Sequence, residues 1–214
     1  MLVKERMSRQ PILAAADLPI GEALNQMKRE HIRRLPVVDQ HGKLVGIVSD
    51  KDLLQASPSP ATSLSVWEIT YLLSKLTVSE VMTKKVITVA EDTPMEDAAR
   101  IMVDNKIGGL PVMRGDKLVG IITETDLFKV FIELLGARDK GVRLTLLVHE
   151  QPGELAKITQ AVAHDGGNII ALVQSQGTDA TNRQVMLKVA ALPKNKLINI
   201  LTPLVIDIED VREA

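Results

Sequence analysis

The segment Arg33–Leu54, RRLPVVDQHGKLVGIVSDKDLL, returns as Gly108–Phe128, GGLPVMRGDKLVGIITETDLF, with one residue deleted in the loop. The match extends outward in order: Met7 corresponds to Met82, Pro19 to Pro94 and Met27 to Met102. An internal repeat of this kind means that one supersecondary unit is built twice. Each copy reads as β-α-β-β-α. A short β-rich piece (Ile12-Leu13, or Val86 to Val89) leads to a helix start, and Thr93-Pro94-Met95-Glu96 has the form of a capping box with Pro at the first helical position. Ile20, Ala23, Leu24 and Met27 follow at i, i+3, i+4 and i+7, as do Met95, Ala98, Ala99 and Met102, so each copy carries an amphipathic helix. Pro36 and Pro111 are expected to end the helical pattern and open strands. His41-Gly42 and Gly115-Asp116 turn the chain into the apolar strands Leu44–Val48 and Leu118–Ile122, after which Ser49 and Thr123 start second helices. A unit of about 50 residues buries its surface poorly alone, so two copies packed sheet to sheet are expected.

Composition excludes several classes of function. Lys plus Arg (26) nearly equals Asp plus Glu (27), so no global field draws the chain to nucleic acid or to acidic membrane. Aromatic residues are 2% of the 214, too few for a stacking platform for single strands. No apolar run is long enough to span a bilayer, and MLVKERMSRQ at the start lacks the apolar core of a signal peptide. The absence of cysteine excludes disulfides and thiolate metal sites. A cytoplasmic, metal-independent protein without nucleic-acid or membrane partners is expected.

The densest chemistry lies in Gly46-Ile47-Val48-Ser49-Asp50-Lys51-Asp52 and its counterpart Gly120-Ile121-Ile122-Thr123-Glu124-Thr125-Asp126. A strand runs into a helix start, and glycine permits close backbone approach. A hydroxyl and free N–H groups at a helix N-terminus suit a phosphate. A carboxylate repels phosphate and accepts from the vicinal hydroxyls of a ribose. Together these describe a nucleoside phosphate with its base against the apolar first strand. Ser49-x-x-Asp52 and Thr123-x-x-Asp126 are equally the pattern of a helix cap. The copies differ at His31-Ile32-Arg33-Arg34 against Lys106-Ile107-Gly108-Gly109. Arg33 and Arg34 either pair with phosphate oxygens or form a solvated basic corner; Gly108-Gly109 leaves room for a ligand or for close backbone.

These repeats resemble a tandem pair of cystathionine-β-synthase (CBS) domains, on the L-P-V-V-D strand, the G-h-V/I-S/T-x-x-D segment (h apolar) and the pairing itself. That resemblance implies a dimerising, ligand-sensing module for adenine-containing molecules: AMP, ADP, ATP, S-adenosylmethionine or NAD. The positions it points to are Ile12, Arg33, Arg34, Pro36, Ser49 and Asp52 with the first copy's sequence, and Ile87, Val89, Gly109, Pro111, Thr123 and Asp126 with the second's. Often one site of such a pair is occupied, and the difference at Arg33-Arg34 points to one stronger site.

Residues 1–56 are thus the first repeat, 57–76 a linker with a helix, and 77–136 the second repeat. In the linker, Ala56 to Ser63 is a loop by composition. Ser65-Val66-Trp67-Glu68 is a capping box for a helix with Ile69, Leu72, Leu73 and Leu76 on one stripe. Trp67 and Tyr71 beside that stripe either dock on a partner or are buried within the chain. Residues 142–214 read as β-α-β-β-α-β, the ferredoxin-like order: Arg143–His149, a helix carrying Leu155, Ile158 and Val162, Ile169–Ser175, Gln184–Ala190, a helix over Lys194–Leu201, and a strand near Val205–Ile208. The class is therefore α/β (α+β), two paired repeats plus a ferredoxin-like domain.

Pro152-Gly153-Glu154-Leu155 after the first strand and Gly167-Asn168-Ile169 after the first helix make this last region similar to an ACT domain. The resemblance implies an effector loop at Glu150, Gln151, Gly153 and Asn168 and dimerisation; no Arg accompanies Glu150 in the loop, so an amino-acid ligand and dimerisation alone both stand. The whole order resembles the CBS–ACT regulatory proteins of the acetoin-utilisation (AcuB) type. His31, His41, His149 and His164 are scattered without metal-ligand spacing, so a non-catalytic regulator with no required cofactor is expected, as a homodimer with a regulated protein partner; a structural adaptor with empty sites is the alternative.

Overall fold

A computed structural model describes residues 1–57 and 65–213. The chain divides into two compact units, Met1–Leu127 and Phe128–Ala214. The first holds α1 (Val3–Arg6), β1 (Ser8–Arg9), β2 (Ala14–Ala15), α2 (Ile20–Arg29), β3 (Arg34–Val38), β4 (Leu44–Ser49), α3 (Asp50–Ala56), α4 (Val66–Lys75), α5 (Val78–Val81), β5 (Val89–Ala90), α6 (Met95–Asn105), β6 (Gly109–Arg114) and β7 (Lys117–Thr123). Helix α7 (Glu124–Leu134) begins in this unit. Each repeat therefore has the β-α-β-β-α order. Its core is aliphatic: Ala14, Ile20, Ala23, Met27, Leu35, Val37, Val48, Leu53 and Val78 cluster in the first repeat.

Neither repeat completes its own sheet. The sheets run β2-β3-β4 and β1-β7-β6-β5, so β1, from the leading segment of the first repeat, pairs with the second repeat at Ser8↔Ile121. The reciprocal contact is the bridge Ile47↔Thr83, with backbone bonds of 3.0 and 2.9 Å. The short helices follow the same exchange. Val3 N donates to Thr93 O (2.9 Å), while Val78 N donates to Leu18 O (2.9 Å) and Val78 is fully buried in the first repeat's core. Gly46 and Gly120 are explained here: a Cβ at either would run into the sulfur of Met82 or Met7, which the exchanged segments bring across.

Three local expectations need correction. The β-rich pieces lie at Ala14–Ala15 and Val89–Ala90, so Ile12-Leu13 precedes its strand. Thr93 does not cap α6; Pro94 is the N-cap with no side-chain bond, and the Thr93 carbonyl is spent on Val3. Nor do the prolines end the helices. His31 and Lys106, both at φ 54°, turn the chain left-handed, and Pro36 and Pro111 lie inside β3 and β6. In the linker, the Ser65–Glu68 box forms as expected, with Ser65 N donating to Glu68 Oε2 at 2.8 Å. Trp67 is 85% exposed and Tyr71 also faces outward, so this pair is not buried within the chain. The loop expected at 58–63 and the side chains of Ile69, Leu72 and Leu73 lie outside what is described.

The second unit contains β8 (Val142–His149), α8 (Glu154–His164), β9 (Asn168–Gln176), β10 (Asn182–Ala190), α9 (Lys194–Leu201), a 3-10 turn (Thr202–Leu204) and β11 (Asp207–Glu213). Its sheet runs β11-β8-β10-β9 with every pair antiparallel. Leu144, Leu146, Val148, Ile158, Val162, Val185, Leu187, Leu197 and Leu201 form its core. The last strand begins later than Val205. Pro203 holds the 3-10 turn, and a register shift between Ile208 and Asp210 lets both Ile208 and Val211 pack on the core, a spacing that strict alternation hides. Lys188 is buried, and its Nζ donates to Gly136 O at 3.0 Å.

The exchange makes a specific demand on stability. Val78→Ala should cost about 1.5–3 kcal/mol, from lost burial and the cavity left behind. Trp67→Ala should cost less than about 0.5 kcal/mol; urea unfolding of the two variants checks both.

Candidate functional site

In the first unit a cleft of about 440 Å³ opens where β4 runs into α3. Its wall combines Arg33, Arg34, Ile47 and Ser49–Asp52 from the first repeat's sequence with Thr83, Lys85, Val86, Ile87 and Lys106–Gly109 from the second's. The exchange described above is what brings these segments together. Five basic residues (Arg33, Arg34, Lys51, Lys85, Lys106) and two acidic ones (Asp50, Asp52) line it, although the whole chain is near neutral. Ile47, Val86, Ile87 and Ile107 supply an apolar wall.

The helix starts are capped as the bland interpretation of the motif requires. Ser49 N and Oγ donate to Asp52 Oδ2 at 2.8 and 2.7 Å, and Asp52 N donates back to Ser49 Oγ at 3.3 Å. Both bonds to the carboxylate use one oxygen, so Asp52 Oδ1 is uncommitted among the described residues. Thr123 N and Oγ1 likewise donate to Asp126 Oδ2, at 3.0 and 2.8 Å, and Asp126 is buried. Because the Ser49 hydroxyl proton is held by Asp52, the charged donors for an anion in this cleft are the arginines and lysines.

Of the residues singled out from sequence, Arg33, Arg34, Ser49, Asp52, Ile87 and Gly109 line the cleft. Ile12 instead packs against the first repeat's core, Val89 is itself buried, and Pro36 and Pro111 sit in mid-strand. Thr123 and Asp126 occupy in the second repeat the places of Ser49 and Asp52 in the first. Lys85 and Lys106 were missed. The first lies in an irregular segment and the second is a helix-terminating residue; both are exposed and line the same cleft. Gly108-Gly109 does not hold open room: the Arg34 side chain lies there, and a Cβ on Gly108 would meet its guanidinium and the Glu124 carboxylate.

In the second unit, Glu150, Gln151 and Gly153 line a cavity of about 430 Å³ with His149, Glu154 and Gln174, whereas Asn168 opens β9 and is not part of that wall. An Arg does accompany Glu150: Arg183, from β10, pairs with it across the sheet, a partner thirty-odd positions along the chain that loop inspection overlooks. Glu154 is buried and accepts from Lys157 Nζ at 2.6 Å and Gln151 Nε2 at 3.1 Å. The Lys157 ammonium foremost, against the opposing effect of burial, holds the Glu154 carboxyl below its ordinary range. Among the described residues no three His, Asp or Glu side chains gather as metal ligands, and no helix is long and apolar enough to cross a membrane.

The CBS domain family matches residues 3–59 and 78–133, and the chain belongs to that family. A curated relative, the L-aspartate semialdehyde sulfurtransferase of Methanocaldococcus jannaschii, is 36% identical over 131 residues; these are 61% of this chain and 23% of that enzyme. Among solved structures, the chain is similar to the CBS pair of protein MJ0100 in complex with 5′-methylthioadenosine and S-adenosyl-L-methionine (34% identity, TM-score 0.52, covering 65% of this chain and 98% of that one). A putative acetoin utilization protein (AcuB) from Vibrio cholerae gives 34% identity and TM-score 0.53 over 65% of this chain and 96% of its own. CBSX2 in complex with AMP gives 29% identity and TM-score 0.51, over 61% and 96%.

Two outcomes follow from this geometry. Ser49→Ala, which removes the cap, should lower ligand-free stability by about 0.5–2 kcal/mol in urea unfolding. For Glu154 the folded pKa lies below the unfolded one, so its stabilisation is present above the ordinary glutamate range and is lost as pH falls through the lowered value. Thermal melts followed from neutral into acid pH should therefore show a shallower decline for Glu154→Gln than for the parent chain.

Proposed function

We propose that the chain is a non-catalytic sensor whose first unit binds a phosphorylated adenosine, of which AMP is the simplest, in the cleft beside α3. The observation that carries this is the convergence of five cations on an apolar-walled cleft in a chain without net positive charge. In this arrangement the phosphate meets Arg33, Arg34 and Lys85, the ribose hydroxyls reach Asp52 Oδ1, and the base lies on Val86 and Ile87. The ligands of the similar CBS pairs, AMP in one and 5′-methylthioadenosine with S-adenosyl-L-methionine in another, support an adenosine ligand. The cleft's charge favours AMP, ADP, ATP or NAD over S-adenosylmethionine, whose sulfonium is cationic.

The second unit's β-α-β-β-α-β order and β11-β8-β10-β9 sheet support a ferredoxin-like, ACT-type domain. Its role in this scheme is dimerisation and relay to a protein partner, with the cavity at Glu150–Glu154 as its effector loop. Acetoin utilisation is the pathway that the AcuB likeness suggests.

Thermal-shift and calorimetric titration with AMP, ADP, ATP, 5′-methylthioadenosine and S-adenosylmethionine test the proposal. A phosphorylated ligand at 100 times its Kd should stabilise the first unit by about 2.7 kcal/mol. Arg33→Ala combined with Arg34→Ala should weaken AMP binding at least about tenfold, the scale of a charge-assisted hydrogen bond. A flat response to every adenine compound would favour an adaptor with empty sites.

A further inference from the structure

Arg34 belongs to the cleft wall, yet its guanidinium is also engaged elsewhere. From β3 it reaches past Gly109 and Gly108 to the first residue of α7, where Nη2 stands 4.0 Å from Glu124 Oε2. Gly108 above all keeps that path open: a Cβ there would collide with the guanidinium and the carboxylate, whereas one on Gly109 would lie 3.1 Å from Arg34 Cδ, a tight contact. The pair has no counterpart in the other half of the repeat. Asp50 takes the place of Glu124 in the first copy, but Gly109 takes the place of Arg34 in the second, so the mirror-image carboxylate has no matching arginine.

At 4.0 Å this ion pair is long, and Glu124 is more than half exposed, so it is weakly held. A phosphate dianion offers Arg34 two short charge-assisted bonds instead. Glu124 thus opposes phosphate in two ways: it competes for the guanidinium, and its own charge repels the dianion. A neutral adenosine compound in the same cleft has nothing to gain from Arg34 and meets neither penalty.

We propose that Glu124 is a specificity-determining residue, which sets how strongly the cleft prefers phosphorylated over neutral adenosine ligands by holding Arg34. This rests on the cleft being the adenosine site. A phosphorylated ligand that takes Arg34 also leaves Glu124 unpaired at the first turn of α7, so ligand charge is registered at the start of that helix.

The test is calorimetric titration of the full chain with AMP and with 5′-methylthioadenosine, reported as the ratio of the two affinities. In Glu124→Gln the AMP preference should rise about two- to fivefold at low salt, the range of an exposed ion pair, and the gain should shrink at high salt. In an Arg34→Ala background the same substitution should leave much less of that gain. A ratio equal to the parent's, or a gain undiminished without Arg34, would overturn the role of Glu124 while leaving the adenosine site intact. A parent chain that binds neither compound would overturn the site and this proposal together.

Discussion

A repeat of this size cannot close its own sheet, and everything else in the first unit depends on how that is resolved. Ser8 pairs with Ile121 and Thr83 with Ile47, so each copy lends its leading segment to the other. Met7 and Met82 travel with those segments and fill the space beside Gly120 and Gly46. The glycines in the repeated motif are therefore packing residues: a side chain on either would push the exchanged methionine out. Because the exchange brings Thr83–Ile87 alongside Ser49–Asp52, the same constraint that completes the sheets also builds the cleft.

Within a repeated backbone, function comes from the positions where the copies differ. Ser49 and Thr123 make the same cap with Asp52 and Asp126, so capping does not distinguish the halves. The difference lies in Arg33-Arg34 against Gly108-Gly109. One half supplies two arginines, and the other the space that Arg34 occupies. Arg34 uses that space to stand between the cleft and Glu124, which places a single side chain under two electrostatic influences.

The repeat itself and the order of elements in both units were legible in sequence, since they rest on apolar periodicity and on turn residues. Less was legible wherever a distant segment decides the outcome. Thr93 looks like a cap, but the helix begins at Met95 with Pro94 in the N-cap place. Lys85 and Lys106 are exposed lysines that only the fold sets on one cleft with Arg33, and Glu150 lacks an arginine until β10 brings Arg183 beside it. The bulge in β11 defeats a period-two reading for a local reason, an extra residue between Ile208 and Val211.

The most direct test of the central claim, one basic cleft that takes a phosphorylated adenosine, is a crystal structure of the full chain grown with AMP. The account predicts AMP in the cleft beside α3, with its phosphate within hydrogen-bonding distance of Arg33 or Arg34 and its ribose against Asp52. AMP seated elsewhere, or a phosphate turned away from both arginines, would contradict it.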